Sequence, residues 1–225
     1  MLKYSEVIYK VQSFFMNKKT VAEVINLLQK EYPDAKPQLK FTSNYELLVA
    51  VILSAQCTDE RVNKVTKVLF NGYNTPEKMV TLSHEELAKI ILPCGLFNSK
   101  AKHILSASQD IIDKFNGVVP SDFNDLISLA GVGRKTADVM VSVAFNGDAI
   151  AVDTHVFRVS NRIGLVSEDT PYKTELALMK KIDKSLWSKS HHYLIFHGRR
   201  VCKARNPDCK NCVIKHLCRY KNKND

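Results

Sequence analysis

The stretch Leu129-Ala130-Gly131-Val132-Gly133-Arg134-Lys135-Thr136-Ala137-Asp138-Val139 constrains the fold more than any other part of the chain. An apolar helical segment runs into a small-residue turn with two glycines, and a second helical segment begins at once. Glycine takes φ > 0 freely and leaves its backbone N–H uncovered, so Gly131 and Gly133 are both placed to bend the chain. Bare amides at a helix start make a site for an anion such as phosphate. Lys135 falls in the first turn of the second helix, where the positive end of the dipole disfavours its charge. Read blandly, the same residues form an ordinary αα-hairpin with a glycine connection.

The rest of the chain keeps a helical period. Val21, Val24, Ile25, Leu28 and Tyr32 share one face, and a linker holding Pro33 and Pro37 follows. Ser43 and Glu46 have the spacing of a capping box. Leu47 to Leu53 is apolar almost all round, which predicts a central buried helix. Asp59, Thr75-Pro76, Ser83 with Glu86, Ser99, Ser121 and Thr170-Pro171 each read as a helix start. Asn71-Gly72, Asn116-Gly117 and Asn146-Gly147 read as helix ends, because their flanks do not alternate. Further helices are expected over 136–145, 154–162, 171–183 and 186–198. The expected class is all-α.

Lys and Arg number 33 against 23 Asp and Glu, a net charge of +10. Such an excess points to a polyanion, nucleic acid before an anionic membrane surface. No apolar run reaches the roughly 18 residues of a membrane span. The start, MLKYSEVIYKVQSFFMNKKT, has Lys10 interrupting its apolar part and no small-residue cleavage site, so no leader is expected and a cytoplasmic protein is.

Cys57 and Cys94 stand apart, whereas Cys202, Cys209, Cys212 and Cys218 crowd into a C-x6-C-x2-C-x5-C pattern. Without export, such a group points to metal before disulfide. Zinc sites with four cysteines usually come as two C-x2-C pairs, and only Cys209 and Cys212 make one. The longer gaps suit a cubane held by four thiolates. Spacing leaves both open. Lys203 and Arg205 make the first gap a basic loop able to touch phosphate. Asp153, in AVDTHVFR, is by itself a plausible helix cap.

Taken together, these segments resemble the endonuclease III family, bifunctional DNA glycosylases and AP lyases of the helix-hairpin-helix superfamily. LAGVGRKTADVM resembles the family's hairpin, IAVDTHVFRVSNR its aspartate segment, and the cysteine pattern its [4Fe-4S] loop. LLVAVILSAQCTDERVNK and LPCGLFNSKAKHI resemble its DNA-facing segments, and the likeness runs in order from about Thr42 to Tyr220. The resemblance implies two helical lobes with a DNA-binding cleft between them. Residues 37–147 would form the helical barrel carrying the hairpin. Residues 1–36 would pack with a cluster domain at 148–225.

It further implies that Lys135 attacks C1′ of a damaged nucleoside and that Asp153 supports the attack and later proton transfers. Gln56 would fill the gap left by the flipped nucleotide, with Leu96 a candidate wedge in the opposite strand. Gly131 and Gly133 would give amides to phosphate, while Arg134, Lys203 and Arg205 add positive charge. Cys202, Cys209, Cys212 and Cys218 would hold the [4Fe-4S] cluster. The implied partner is double-stranded DNA bearing oxidised pyrimidines or abasic sites, bound by a monomer. Two positions depart from the family: Ala130 stands where proline is usual, and Asp138 where asparagine is common. Two other readings compete. An adenine glycosylase of the superfamily would usually lack the hairpin lysine, and a non-catalytic binding protein with structural zinc would form no covalent intermediate.

Overall fold

The computed structural model describes residues 16–223, so the reading of the N-terminal stretch as free of a leader lies mostly outside the described residues. Among the described residues there are helices and turns and no strand. In chain order the α-helices are α1 (Lys18–Glu31), α2 (Asn44–Leu53), α3 (Asp59–Leu69), α4 (Pro76–Met79), α5 (His84–Ile91) and α6 (Phe97–Phe115). They continue with α7 (Phe123–Ser128), α8 (Arg134–Val139), α9 (Thr154–Ile163), α10 (Pro171–Lys181) and α11 (Trp187–Arg200). Among the described residues no helix is long and apolar enough to cross a membrane. The chain divides into two compact units, Pro37–Gly147 and the chain on either side of it.

In the Pro37–Gly147 unit, every residue of α2 from Tyr45 to Leu53 is buried, as its apolar run from Leu47 requires. Around it the core takes in Val62, Leu69, Met79, Leu87, Ile91, Ile104 and Ile111. Short polar side chains set where these helices begin. Ser83 and Glu86 form a complete capping box at α5. Ser43 makes only half of one at α2. Its hydroxyl accepts from the Glu46 amide at 3.1 Å, while the Glu46 carboxylate takes the amide and hydroxyl of Thr42. Three starts differ from expectation. Thr58 caps α3, making Asp59 its first residue. Asp122 caps α7 in place of Ser121, because its longer reach lets Oδ1 accept from the amides of both Asn124 and Asp125. The helix α6 begins at Phe97 with no side-chain cap, two residues before Ser99.

The segment expected as one helix over 136–145 is instead α8 followed by a π-helical turn, Met140–Ala144. Asn146 has φ 52°, and the Gly147 amide returns to the Val141 carbonyl at 2.7 Å, closing a wider last turn.

The other unit joins α1 to α9, α10 and α11. Val21, Val24, Ile25 and Leu28 form the buried face of α1, which packs on α11. The helix α11 in turn packs on α9. Tyr32, just past α1 and 2% exposed, meets α11 through its hydroxyl, 3.0 Å from Nδ1 of His197. The helix α10 stops at Lys181, and a short 3-10 turn, Lys184–Leu186, leads into α11.

Candidate functional site

The two hairpin glycines differ in kind. Gly131 has φ 77°, and a Cβ there would stand 2.7 Å from Cβ of His103. Gly133 has φ −89° and ψ 175°, an extended backbone that any residue adopts, and nothing lies within 4 Å of where its Cβ would stand. The expected φ > 0 is therefore a property of Gly131 alone. Gly133 is the N-cap of α8 and no side chain caps it. Leu129, Val132 and Ala137 are buried and anchor the bend in the core of its unit. Arg134 places its guanidinium 5.0 Å from the centre of the Phe123 ring, a cation–π contact across the hairpin. Lys135 is exposed on the first turn of α8, and Asp138, one turn on, is buried.

Asp153 belongs to the other unit. Its Oδ1 accepts from the Val156 amide at 2.7 Å, so it is the N-cap of α9, and it is half-buried. The buried run Ile150–Val152 leads into it, and the Ala151 carbonyl lies 2.6 Å from Nδ1 of His191. Burial holds the neighbouring His155 imidazole below its ordinary value, although the Asp153 carboxylate opposes the shift.

Gln56 and Leu96 share an uncommon conformation. Both are exposed, and both are left-handed, with φ 53° and φ 48°. Outside glycine and asparagine that region is sparsely populated, and such residues concentrate at functional sites.

Cys202, Cys209, Cys212 and Cys218 line a common pocket with Arg162 and His197. The Cys212 sulfur lies 3.7 Å from Nε2 of His197, Nη1 of Arg162 lies 3.8 Å from the Cys202 sulfur, and the Tyr220 amide donates to the Cys218 sulfur at 3.4 Å. Burial pushes the Cys202 and Cys218 thiols up and the Cys212 thiol to about 11. Among the described residues no three or more His, Cys, Asp or Glu side chains are gathered as for a single metal ion. The donor set is all sulfur, and the contacts to it come from N–H groups and a guanidinium. That environment fits a centre which takes up four thiolates and leaves negative charge on sulfur. Lys203 and Arg205 are exposed on the loop between the first two cysteines.

Several residues that sequence reading passed over hold this loop. Arg158 donates through Nη2 to the carbonyls of Gly198 at 2.9 Å and Cys202 at 3.1 Å. Arg162 donates to the carbonyls of Lys203 and Ala204 and lies 5.0 Å from the centre of the Tyr220 ring. Their i, i+4 spacing on α9 was a visible signal, one face of a helix carrying two fork-shaped donors. His197, wholly buried, lies beside them on α11.

The sequence pattern of the HhH-GPD superfamily of base excision DNA repair proteins matches residues 49–184. The endonuclease III of Rickettsia conorii is 49% identical over 205 residues, covering 91% of this chain and 98% of that protein. The chain belongs to the endonuclease III family. Two solved structures agree with that placing at 48% identity and a TM-score of 0.88. One is a non-covalent endonuclease III–DNA complex, covering 91% of this chain and 96% of that one. The other is a trapped endonuclease III–DNA covalent intermediate, covering 91% and 97%. As an endonuclease III family member the chain is a base excision DNA repair protein. Its hairpin bend runs through Ala130, with Gly131 supplying the left-handed turn.

Proposed function

We propose that the chain removes oxidised pyrimidines from double-stranded DNA and then cleaves the abasic strand, with Lys135 as nucleophile. The observation that carries this reading is an exposed lysine on the first turn of α8, whose start is an uncapped glycine facing open space. Without a Cβ at position 133, a phosphate oxygen can approach the first amides of α8, and the sugar beside that phosphate comes within reach of Lys135. The neutral amine gives its lone pair to C1′, and the bond to the base breaks with its electrons leaving on the base. Loss of a proton from nitrogen and ring opening give an imine, which acidifies the 2′-hydrogens. Removal of one lets the C3′–O bond break by β-elimination, and water releases the lysine. Asp153 serves as the carboxylate for these proton transfers. Gln56 and Leu96 enter the stack when the nucleotide leaves it, which offsets the cost of flipping.

The four C-terminal cysteines are proposed to hold a [4Fe-4S] cluster, which when bound cross-links the loop from Cys202 to Cys218. Arg158 and Arg162 hold the loop's carbonyls and His197 faces Cys212, while Lys203 and Arg205 face solvent to meet phosphate. The protein is proposed to act in the cytoplasm as a monomer.

Two measurements test the binding surface. Affinity for undamaged duplex is expected to fall linearly on a log–log plot against salt, because each neutralised phosphate releases counterions with a slope of about −0.9 per contact. A salt-insensitive affinity would remove the basic surface from the reading. For the hairpin, Gly133→Ala is expected to melt within about 0.5 kcal/mol of the parent yet bind DNA more weakly. Gly131→Ala is expected to lose about 1–3 kcal/mol of stability through its left-handed backbone. Equal binding by Gly133→Ala and the parent would remove phosphate from that space.

A further inference from the structure

Lys100 has no part in the chemistry above, yet it is 3% exposed on the first turn of α6. Its ammonium donates to three backbone carbonyls, Leu53 at 2.9 Å, Ala55 at 2.7 Å and Cys94 at 2.9 Å. Three N–H donors meet three acceptors, so the group is fully satisfied. Burial nonetheless lowers its basicity, a measure of what keeping a cation there costs. The Leu53 carbonyl ends α2, where the helix dipole is negative and favours a cation. The other two carbonyls have a different significance. Ala55 directly precedes Gln56, and Cys94 leads through Gly95, with φ 66°, to Leu96.

One ammonium therefore ties together the two peptide segments that deliver the two exposed left-handed side chains. Folding alone gives Leu96 no reason to expose 55% of its surface from a disfavoured backbone. A rigid pair of protruding side chains has a use in DNA. Filling a vacated stack offsets unstacking only if both groups arrive already placed, since ordering them on arrival would consume the gain.

We propose that Lys100 is a positioning residue that fixes the Gln56 and Leu96 turns against each other, so that both side chains enter a duplex in one concerted step. The proposal rests on the roles given to Gln56 and Leu96 above and not on Lys135.

The test is a mutant cycle read by two signals: 2-aminopurine fluorescence opposite a lesion, reporting base extrusion, and the single-turnover excision rate. Lys100→Met, which loses all three charged hydrogen bonds, is expected to slow both by at least about tenfold, with binding to undamaged duplex unchanged. Lys100→Arg, which keeps a cation and its donors, is expected to recover most of the loss. In a Gln56→Ala/Leu96→Ala background Lys100→Met should add less than about twofold, because it acts only through those side chains. A full multiplicative loss in that background would overturn the proposal and leave Lys100 a residue of the fold alone. So would parental extrusion by Lys100→Met. Circular dichroism reports folding, and if Lys100→Met does not fold, Lys100→Gln replaces it in the same cycle. Failure of the wild type to be captured by borohydride on abasic DNA would instead remove the proposed function.

Discussion

Lys135→Ala is expected to abolish borohydride capture of the protein on abasic DNA and to lower excision at least about a thousandfold, as loss of a covalent nucleophile does. The side chain is exposed, so the substitution should leave stability within about 0.5 kcal/mol of the parent. Lys135→Arg sharpens the test. A guanidinium keeps the charge and the reach to phosphate but does not lose its proton, so it has no lone pair for C1′. That variant should bind lesion DNA like the parent and still fail to be captured. Lys100 does not substitute, because its ammonium is held by three carbonyls in the interior. Peptide mapping of the reduced adduct should place the sugar remnant on Lys135. An adduct retained in Lys135→Ala, or mapped to another side chain, would show that a different amine performs the reaction.

The second large effect is expected at Cys212, where Cys212→Ala should release the metal centre and loosen the loop from Cys202 to Cys218. Ile214 is fully buried, and Arg158 and Arg162 hold carbonyls between Gly198 and Ala204. Burial raises the proton affinity of these thiols, so a bound centre must displace their protons and its loss leaves them neutral. Losing that centre belongs with the largest single-residue effects, above about 4 kcal/mol. The parent should carry iron and sulfide in equal amounts and be brown. Cys212→Ala should be colourless, melt far lower, and be cut by protease within the loop. A parent that contains zinc in place of iron, or a Cys212→Ala protein that keeps iron and melts unchanged, would overturn the cluster.

Much of the fold could be read from neighbours in the chain. Caps and proline starts act over three or four residues, so Thr75-Pro76, Ser83 with Glu86 and Thr170-Pro171 mark real helix starts. The all-apolar run from Leu47 to Leu53 announced its own burial. Where local signals tied, side-chain reach chose Asp122 over Ser121 and tertiary context chose a left-handed Leu96 over Ser99. The hairpin and the cysteine spacing were equally visible, since each lies within one short segment.

The residues alone make the chain helical, basic, bent at a two-glycine turn and rich in cysteine near its end. Those properties reside in composition and in spacings of a few residues. Packing in the folded chain settled that Gly131, and not Gly133, needs a left-handed backbone, that His103 crowds it, and that the space beside Gly133 is open. Only it brought Tyr32 to His197, 165 residues away, and the carbonyls of Ala55 and Cys94 to one buried ammonium. The physical reason is common to all of these. A non-glycine φ above zero, an empty volume or a buried charge is set by groups distant in sequence, and no local period encodes which groups those will be.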